Sequence, residues 1–201
     1  MAANNITDLY QYVIPELPDC PKSLILQTAR TVLRDFCRRT QCWTVELDPI
    51  LLVSGVEEYD FDALIPSYAN CDTIKMIELN DAELTPISDW EFTSPTSIRL
   101  TATPSADTNT ANDETGLEIE AVLLPKLTAT IIDGDLFNSY YDTWAKLIKG
   151  RLMLMPGKMW SNPQLGQLYN NEGYWGMADA RFEQETGNTR TELVMQTPHP
   201  V

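Results

Sequence analysis

Residues 150–169, GRLMLMPGKMWSNPQLGQLY, constrain the fold of this chain more than any other stretch. Leu152, Met153, Leu154 and Met155 close a helical pattern, and Pro156 has no N–H with which to continue it. Gly157 permits a turn. Ser161 or Asn162 then offers a side-chain oxygen to the first free N–H groups of a second helix, with Pro163 at its first position. The spacing predicts two helices meeting at a corner that holds Trp160. Nothing in that corner is chemically reactive.

Apolar patterns run into and out of the corner. Leu136, Tyr140, Trp144, Leu147, Ile148, Leu152 and Met155 fall at helical spacing from Asp135 onward, and Leu165, Leu168, Tyr169, Trp175 and Phe182 continue beyond it. Trp144 and Trp160 are expected in the core rather than in a ligand cage. Asp133-Gly134-Asp135 reads as a turn into a helix N-terminus, where negative charge is favoured. Gly173 and Gly176 weaken the expectation that the last helix is continuous.

Upstream, Asp19 or Cys20 is expected to cap a helix with Pro21 in its first turn. One apolar stripe follows, as Leu24/Ile25, Thr28/Ala29, Val32/Leu33 and Phe36/Cys37. Beside it Arg30, Arg34 and Arg38 fall at i, i+4 and i+8, with Arg39 adjacent. Two readings stay open: a solvated edge balanced by local acids such as Asp35, or a guanidinium row for carboxylates on a neighbouring subunit.

From Trp43 to Pro66 the period changes to two. Residues 43–47 and 50–53 read as strand, Ser54-Gly55 as a turn, and 56–61 as the strand returning on it. Residues 74–79 and 82–87 repeat the pattern about Asn80-Asp81, both of which tolerate positive φ. Residues 97–101 and 116–124 complete the set, with Glu118 and Glu120 alternating with Leu117, Ile119 and Ala121 as on the wet face of a strand. Residues 103–114 are polar, lack apolar anchors and are expected to be mobile. The expected fold is α+β, an N-terminal helix and a long C-terminal helical hairpin with a small antiparallel β-sandwich or barrel inserted. A single domain is expected over 1–185, with a helix at 20–40, the β insertion at 43–132 and the hairpin at 135–185. An extended tail follows at 186–201.

Composition excludes several function classes. The 201 residues are 43% hydrophobic, enough for one core. Lys and Arg number 14 against 29 Asp and Glu, so the formal net charge of −15 repels phosphate backbones and argues against sequence-specific DNA reading. No apolar run has membrane-spanning length, and MAANNITDLY lacks the features of a signal peptide, so synthesis in the cytosol is expected. Cys20, Cys37, Cys42 and Cys71 are expected as free, buried thiols. Cys37 and Cys42 form the one close pair and the sole histidine is His199, which disfavours zinc.

The search for chemistry is negative. Pro156-Gly157-Lys158 lacks Walker spacing and follows a helix. His199 sits in a Pro-flanked tail where a general base has no fixed geometry. Asp133, Asp135 and the acids of 107–114 lack EF-hand offsets. With no nucleophile, base and oxyanion set, the chain is expected to be a non-enzyme without catalytic, cofactor or metal sites.

One resemblance runs through nearly the whole chain. It rests on Ile6-Thr7-Asp8-Leu9 and Leu17-Pro18 before the first helix, and on Phe36-Cys37-Arg38-Arg39-Thr40 with Trp43 at its end. Tyr59-Asp60-Phe61 and Met155-Pro156-Gly157-Lys158-x-Trp160-Ser161-Asn162-Pro163 complete it. In order, spacing and element type these pieces resemble the head-to-tail adaptor proteins of tailed bacteriophages, also called head-completion or tail accessory proteins. Met159 departs from the pattern, where a small residue or proline is expected, as does the glycine-bearing final helix.

The resemblance implies a structural virion protein at the head–tail interface, made in the host bacterial cytoplasm. It implies a homo-oligomeric ring, dodecameric in form, docked on the portal protein and offering a platform to a tail nozzle or tail-tube protein. Double-stranded DNA would pass through the lumen, with no membrane involved. Helices 24–39 and 135–155 would supply subunit contacts, and the 186–201 tail would strap the ring to the portal. The interface residues so implied are Arg30, Arg34, Arg38, Arg39, Trp160, Arg190, Leu193, Val194 and Met195. The acidic balance would keep a lumen from binding its cargo. A monomeric protein-binding module using its β-sandwich face is the alternative.

Overall fold

The computed structural model describes residues 3–79, 82–105 and 116–186. Its first element is strand β1, Ala3–Asn5, followed by two short 3-10 turns that flank helix α1, Tyr10–Val13. Ile6, Leu9, Val13 and Leu17 recur at helical spacing and are fully buried, so this segment plugs the core, an element absent from the expected fold.

Helix α2, Lys22–Thr40, buries the expected stripe, including Ile25, Ala29, Val32, Leu33 and Phe36. Its start differs from expectation. Neither Asp19 nor Cys20 caps it: Pro21 occupies the capping position, and its carbonyl accepts from the N–H groups of Leu24 at 2.9 Å and Ile25 at 3.1 Å. Proline suits this place because its own N–H is not needed there.

The strands are β2 Thr44–Ile50, β3 Glu58–Asp60, β4 Ala69–Leu79, β5 Ala82–Glu83, β6 Trp90–Ser94, β7 Ser97–Leu100, β8 Leu117–Pro125 and β9 Ile131–Asp133. They form antiparallel sheets in the orders β2-β8-β4-β5, β3-β7-β6 and β1-β9. The expected return of 56–61 on 43–53 is corrected. Glu58–Asp60 pairs instead with β7, Tyr59 opposite Ile98, while β2 pairs with β8. The Tyr59 hydroxyl, donating to Val56 O at 2.9 Å, ties down the loop between them. The strand expected over 82–87 is only Ala82–Glu83, because Thr85 to Asp89 form a turn closed by Thr85 N–H donating to Asp89 Oδ2 at 2.7 Å. Asn80-Asp81 and most of the 103–114 loop lie outside the described residues.

β8 lies at the centre of the four-stranded sheet, between β2 and β4, with α2 packed on it. Two bulges interrupt β4: Cys71 and Thr73 oppose Leu123 and Val122, and Ile74 and Met76 oppose Ala121 and Glu120. Asp72 and Lys75 are the extra residues. A bulge bends its strand and re-aims the extra side chain, and these two are carried to the C-terminal end of α2.

Helix α3, Gly134–Met153, begins where Asp133 Oδ1 accepts from Asp135 N–H at 3.0 Å and Leu136 N–H at 3.2 Å. Helix α4, Pro163–Glu185, begins where Asn162 Oδ1 accepts from Leu165 N–H at 3.2 Å. Between them Gly157 adopts φ +71, and Asn162 N–H donates to Met153 O at 3.0 Å. The corner is therefore as expected, with half-buried Trp160 packed on the core and its Nε1 buried without a hydrogen-bond partner among the described residues. α4 runs unbroken through Gly173 and Gly176, contrary to the doubt those residues raised. A Cβ on Gly173 would lie 2.6 Å from Leu147 Cδ2, and one on Gly176 2.6 Å from Thr143 Oγ1. They let α4 lie close on α3, and packing gained there outweighs poor helix propensity.

Candidate interaction surfaces

The arginine row of α2 divides into two pairs. Arg30 Nε donates to Ala129 O at 2.8 Å and Arg34 Nη1 to Pro125 O at 3.1 Å, so both guanidinium groups staple the helix to the chain joining β8 and β9. Arg38 and Arg39 remain half-exposed, meeting Asp72 at 3.1 Å and Asp35 at 3.4 Å. Asp35 also accepts from Arg151.

Arg38 and Arg39 line a groove of about 440 Å³ with Lys75 and, from the last turn of α4, Arg181 and Glu185. Three elements distant in sequence thus bring four of the chain's 14 Lys and Arg residues to one place. The bulge in β4 supplies Lys75, and the i, i+4 pair Arg181–Glu185 at 2.7 Å holds the α4 side. Each of the four is paired with a carboxylate of the chain itself, Arg38 with Asp72, Arg39 with Asp35, Lys75 with Glu120 and Arg181 with Glu185, so the groove holds exchangeable surface ion pairs.

A second surface lies along α4. Leu168, Trp175 and Phe182 are 52%, 70% and 59% exposed and recur every seven residues. Seven residues is close to two turns, so the three align on one face over about 21 Å. That face is opposite Gly166, Gly173, Met177 and Ala180, which are buried toward the helices beneath. Reading Leu168, Trp175 and Phe182 with Leu165 and Tyr169 as one continuing apolar pattern is corrected: Leu165 and Tyr169 pack on the core, while the other three face solvent. The available signal was the phase of the glycines. Trp175 follows Gly173 by two residues, about 200° around the helix, so once the glycine side is inward the tryptophan side is outward. Isolated exposed apolar residues are ordinary, and these three share one face with Asn171, Glu172 and Asp179 set between them.

The wet face of the four-stranded sheet is acidic. Glu46 is registered opposite Glu120, and Glu78 opposite Glu118, around a hollow of about 370 Å³ that Asp48 and Met76 also line. Directly opposed like charges destabilise a sheet. Lys75 Nζ relieves one of them, 3.8 Å from Glu120.

Compared with protein-family models and with curated proteins, the sequence matches none. Among the described residues no group of three or more His, Cys, Asp and Glu side chains is placed to hold a metal ion, and no helix is long and apolar enough to cross a membrane. All four cysteines are buried and free, as expected. Of the residues marked as an interface from sequence, Arg38 and Arg39 share the groove, Arg30 and Arg34 are engaged within the chain, and Trp160 sits at the hairpin corner. Arg190, Leu193, Val194 and Met195 lie outside the described residues.

Proposed function

We propose that this chain is the subunit of a head-to-tail adaptor ring in a tailed bacteriophage, seated between the portal and the tail nozzle or tube. The observation that supports this most is the outward row Leu168, Trp175 and Phe182 on a helix held closely against α3. A helix that turns a leucine and two aromatics outward among polar side chains offers aromatic anchors of the kind subunit contacts use. Subunit contact is accordingly assigned to α4, since α2 and α3 use their apolar faces inside the subunit. The acidic sheet face fits a conduit that lets DNA pass without holding it.

The test is co-sedimentation of the purified chain with portal rings from the same genome, comparing the full chain with one ending at Glu185. Saturable binding of one subunit per portal subunit, weakened by the truncation, supports the adaptor and its strap. A chain that stays monomeric and ignores portal rings at packaging-like salt sinks this reading in favour of a monomeric binding module.

A further inference from the structure

The corner between α3 and α4 presents a cation beside an apolar side chain. Met159 is 86% exposed, and Lys158, also exposed, has no ion pair among the described residues. The backbone holds both in place. Gly157 turns at φ +71, Ser161 N–H donates to Lys158 O at 3.0 Å, and Ser161 Oγ donates to Met153 O at 3.3 Å. A tip fixed in this way loses little freedom when it is bound.

The hollow on the four-stranded sheet has the complementary character. Five carboxylates, those of Glu46, Asp48, Glu78, Glu118 and Glu120, line it together with Met76 and Pro49. Glu78 stands between Glu118 on β8 and Glu83 on β5. Among the described residues only Lys75 pairs with any of the five, 3.8 Å from Glu120. A further cation would relieve these opposed like charges, and Met76 and Pro49 offer apolar surface to a flexible thioether.

Tip and hollow are far apart on one chain. Lys75, beside Glu120 at the rim of the hollow, also lines the groove that Arg181 reaches, and α4 runs about 27 Å from Arg181 back to Pro163 at the corner. Lys158 therefore cannot enter its own hollow, although a second copy can receive it.

We propose that Lys158 and Met159 of one subunit dock in the acidic hollow of the next, the ammonium between Glu78 and Glu118 and the thioether against Met76 and Pro49. Charge complementarity within this one sequence makes the occupant a second copy of the chain. Tip and hollow are different surfaces, so the contact is head to tail and repeats from copy to copy, closing into a ring when the rotation allows. In that closure it rests on the adaptor reading. Lys75 and Lys158 against five carboxylates leave the seam acidic, in keeping with a passage for DNA.

The test uses a carbodiimide, which joins an amine to a carboxylate with no spacer. It is applied to a mixture of ordinary and heavy-nitrogen whole chains, both free at high concentration and incubated with portal rings. The expected product joins Lys158 to Glu46, Glu78, Glu118 or Glu120, with one peptide from each label. Lys158→Glu and Glu118→Lys should each weaken self-association by tenfold or more in sedimentation velocity, and mixing the two should restore a one-to-one pair. Absence of any Lys158 link between copies in both samples overturns the contact, as does self-association of Lys158→Glu at wild-type strength. The wild-type cross-linking decides even where a variant does not fold. Portal binding without Lys158 links removes the contact alone, whereas Lys158 links in a chain that ignores portal rings support the contact and remove the adaptor reading alone.

Discussion

Lys149 Nζ donates to Glu16 Oε1 at 2.8 Å, joining residues 133 positions apart. Lys149 is 8% exposed and its ammonium lies 4.3 Å over the Tyr169 ring, while the Tyr169 hydroxyl donates to the other oxygen of Glu16. The segment before α2 is thereby tied to α3 and α4 at one point. Partial burial acts to raise the Glu16 carboxyl, but hydrogen bonds from Lys149 and Tyr169 with the ammonium charge outweigh it and lower the group below 4.5. The hydrogen bond to Glu16, then burial, pushes Tyr169 up to about 12.

Glu16→Gln is expected to cost about 1 kcal/mol in urea unfolding, below the ~1.5–3 usual for hydrogen bonds to charged groups because the Glu16 side chain is 36% exposed. A carboxyl lowered on folding stabilises above its unfolded value, and that contribution is lost as pH falls through the folded value. The variant should therefore show a shallower loss of stability in acid than wild type. In ultraviolet difference titration its Tyr169 should ionise nearer 10 than 12. An unchanged acid limb together with an unchanged tyrosine would refute the linkage.

A Cβ at Gly150 would lie 2.8 Å from Asn170 N and 3.0 Å from Asn170 Cα, atoms that cannot swing aside. Gly150→Ala should lose about 1–3 kcal/mol by overpacking, although the same change on an exposed helix gains roughly 1 kcal/mol. Gly157→Ala meets open space at φ +71 and should cost only about 1–2 kcal/mol of backbone strain. A Gly150→Ala variant as stable as wild type or more stable would mean that α3 and α4 are not as close as described.

Arg30 and Arg38 separate folding from recognition. Arg30→Met strips Ala129 O of its 2.8 Å donor and should cost about 1–3 kcal/mol. Arg38→Met breaks only an exposed pair with Asp72 and should change stability by less than about 1 kcal/mol. If assembly uses the groove, Arg38→Met should weaken self-association at wild-type stability, measured by sedimentation velocity at low and high salt.

Replacing Trp175 by Lys should leave the thermal midpoint of the monomer nearly unchanged, a surface change within about 0.5 kcal/mol. Portal binding or ring formation should fall by tenfold or more, on the order of the loss from truncating an interface aromatic. Undiminished assembly by this variant and by Phe182→Lys would exclude α4 as the contact.

The helices were legible because their ends carry local chemistry. Asp133 and Asn162-Pro163 declare where α3 and α4 start, and the stripe from Ile25 to Phe36 declares which side of α2 is inward. Strand partners were not legible. Alternation fixes the face of residues 58–60 but carries no information that Tyr59 pairs with Ile98, on a strand that follows β4, β5 and β6 in the sequence. The surfaces were half visible: the four arginines stand out in sequence, but only the bulge in β4 and the end of α4 show why Arg38 and Arg39 differ from Arg30 and Arg34. The outward row on α4 is masked in sequence because Leu168, Trp175 and Phe182 repeat with the same period as a buried stripe, and only the phase of the glycines separates the two.

The bulges in β4 also bear on how this protein can vary. Asp72 and Lys75 are surplus to the ladder, so loss of either codon would leave a strand with more regular pairing and the same residues opposite β8. Their contacts are with the neighbours instead, Asp72 with Arg38 and Lys75 with Glu120. A lineage carrying this sheet could therefore retune the charge at the end of α2 by short insertions and deletions, a route closed to most strands because a shifted register exchanges their two faces.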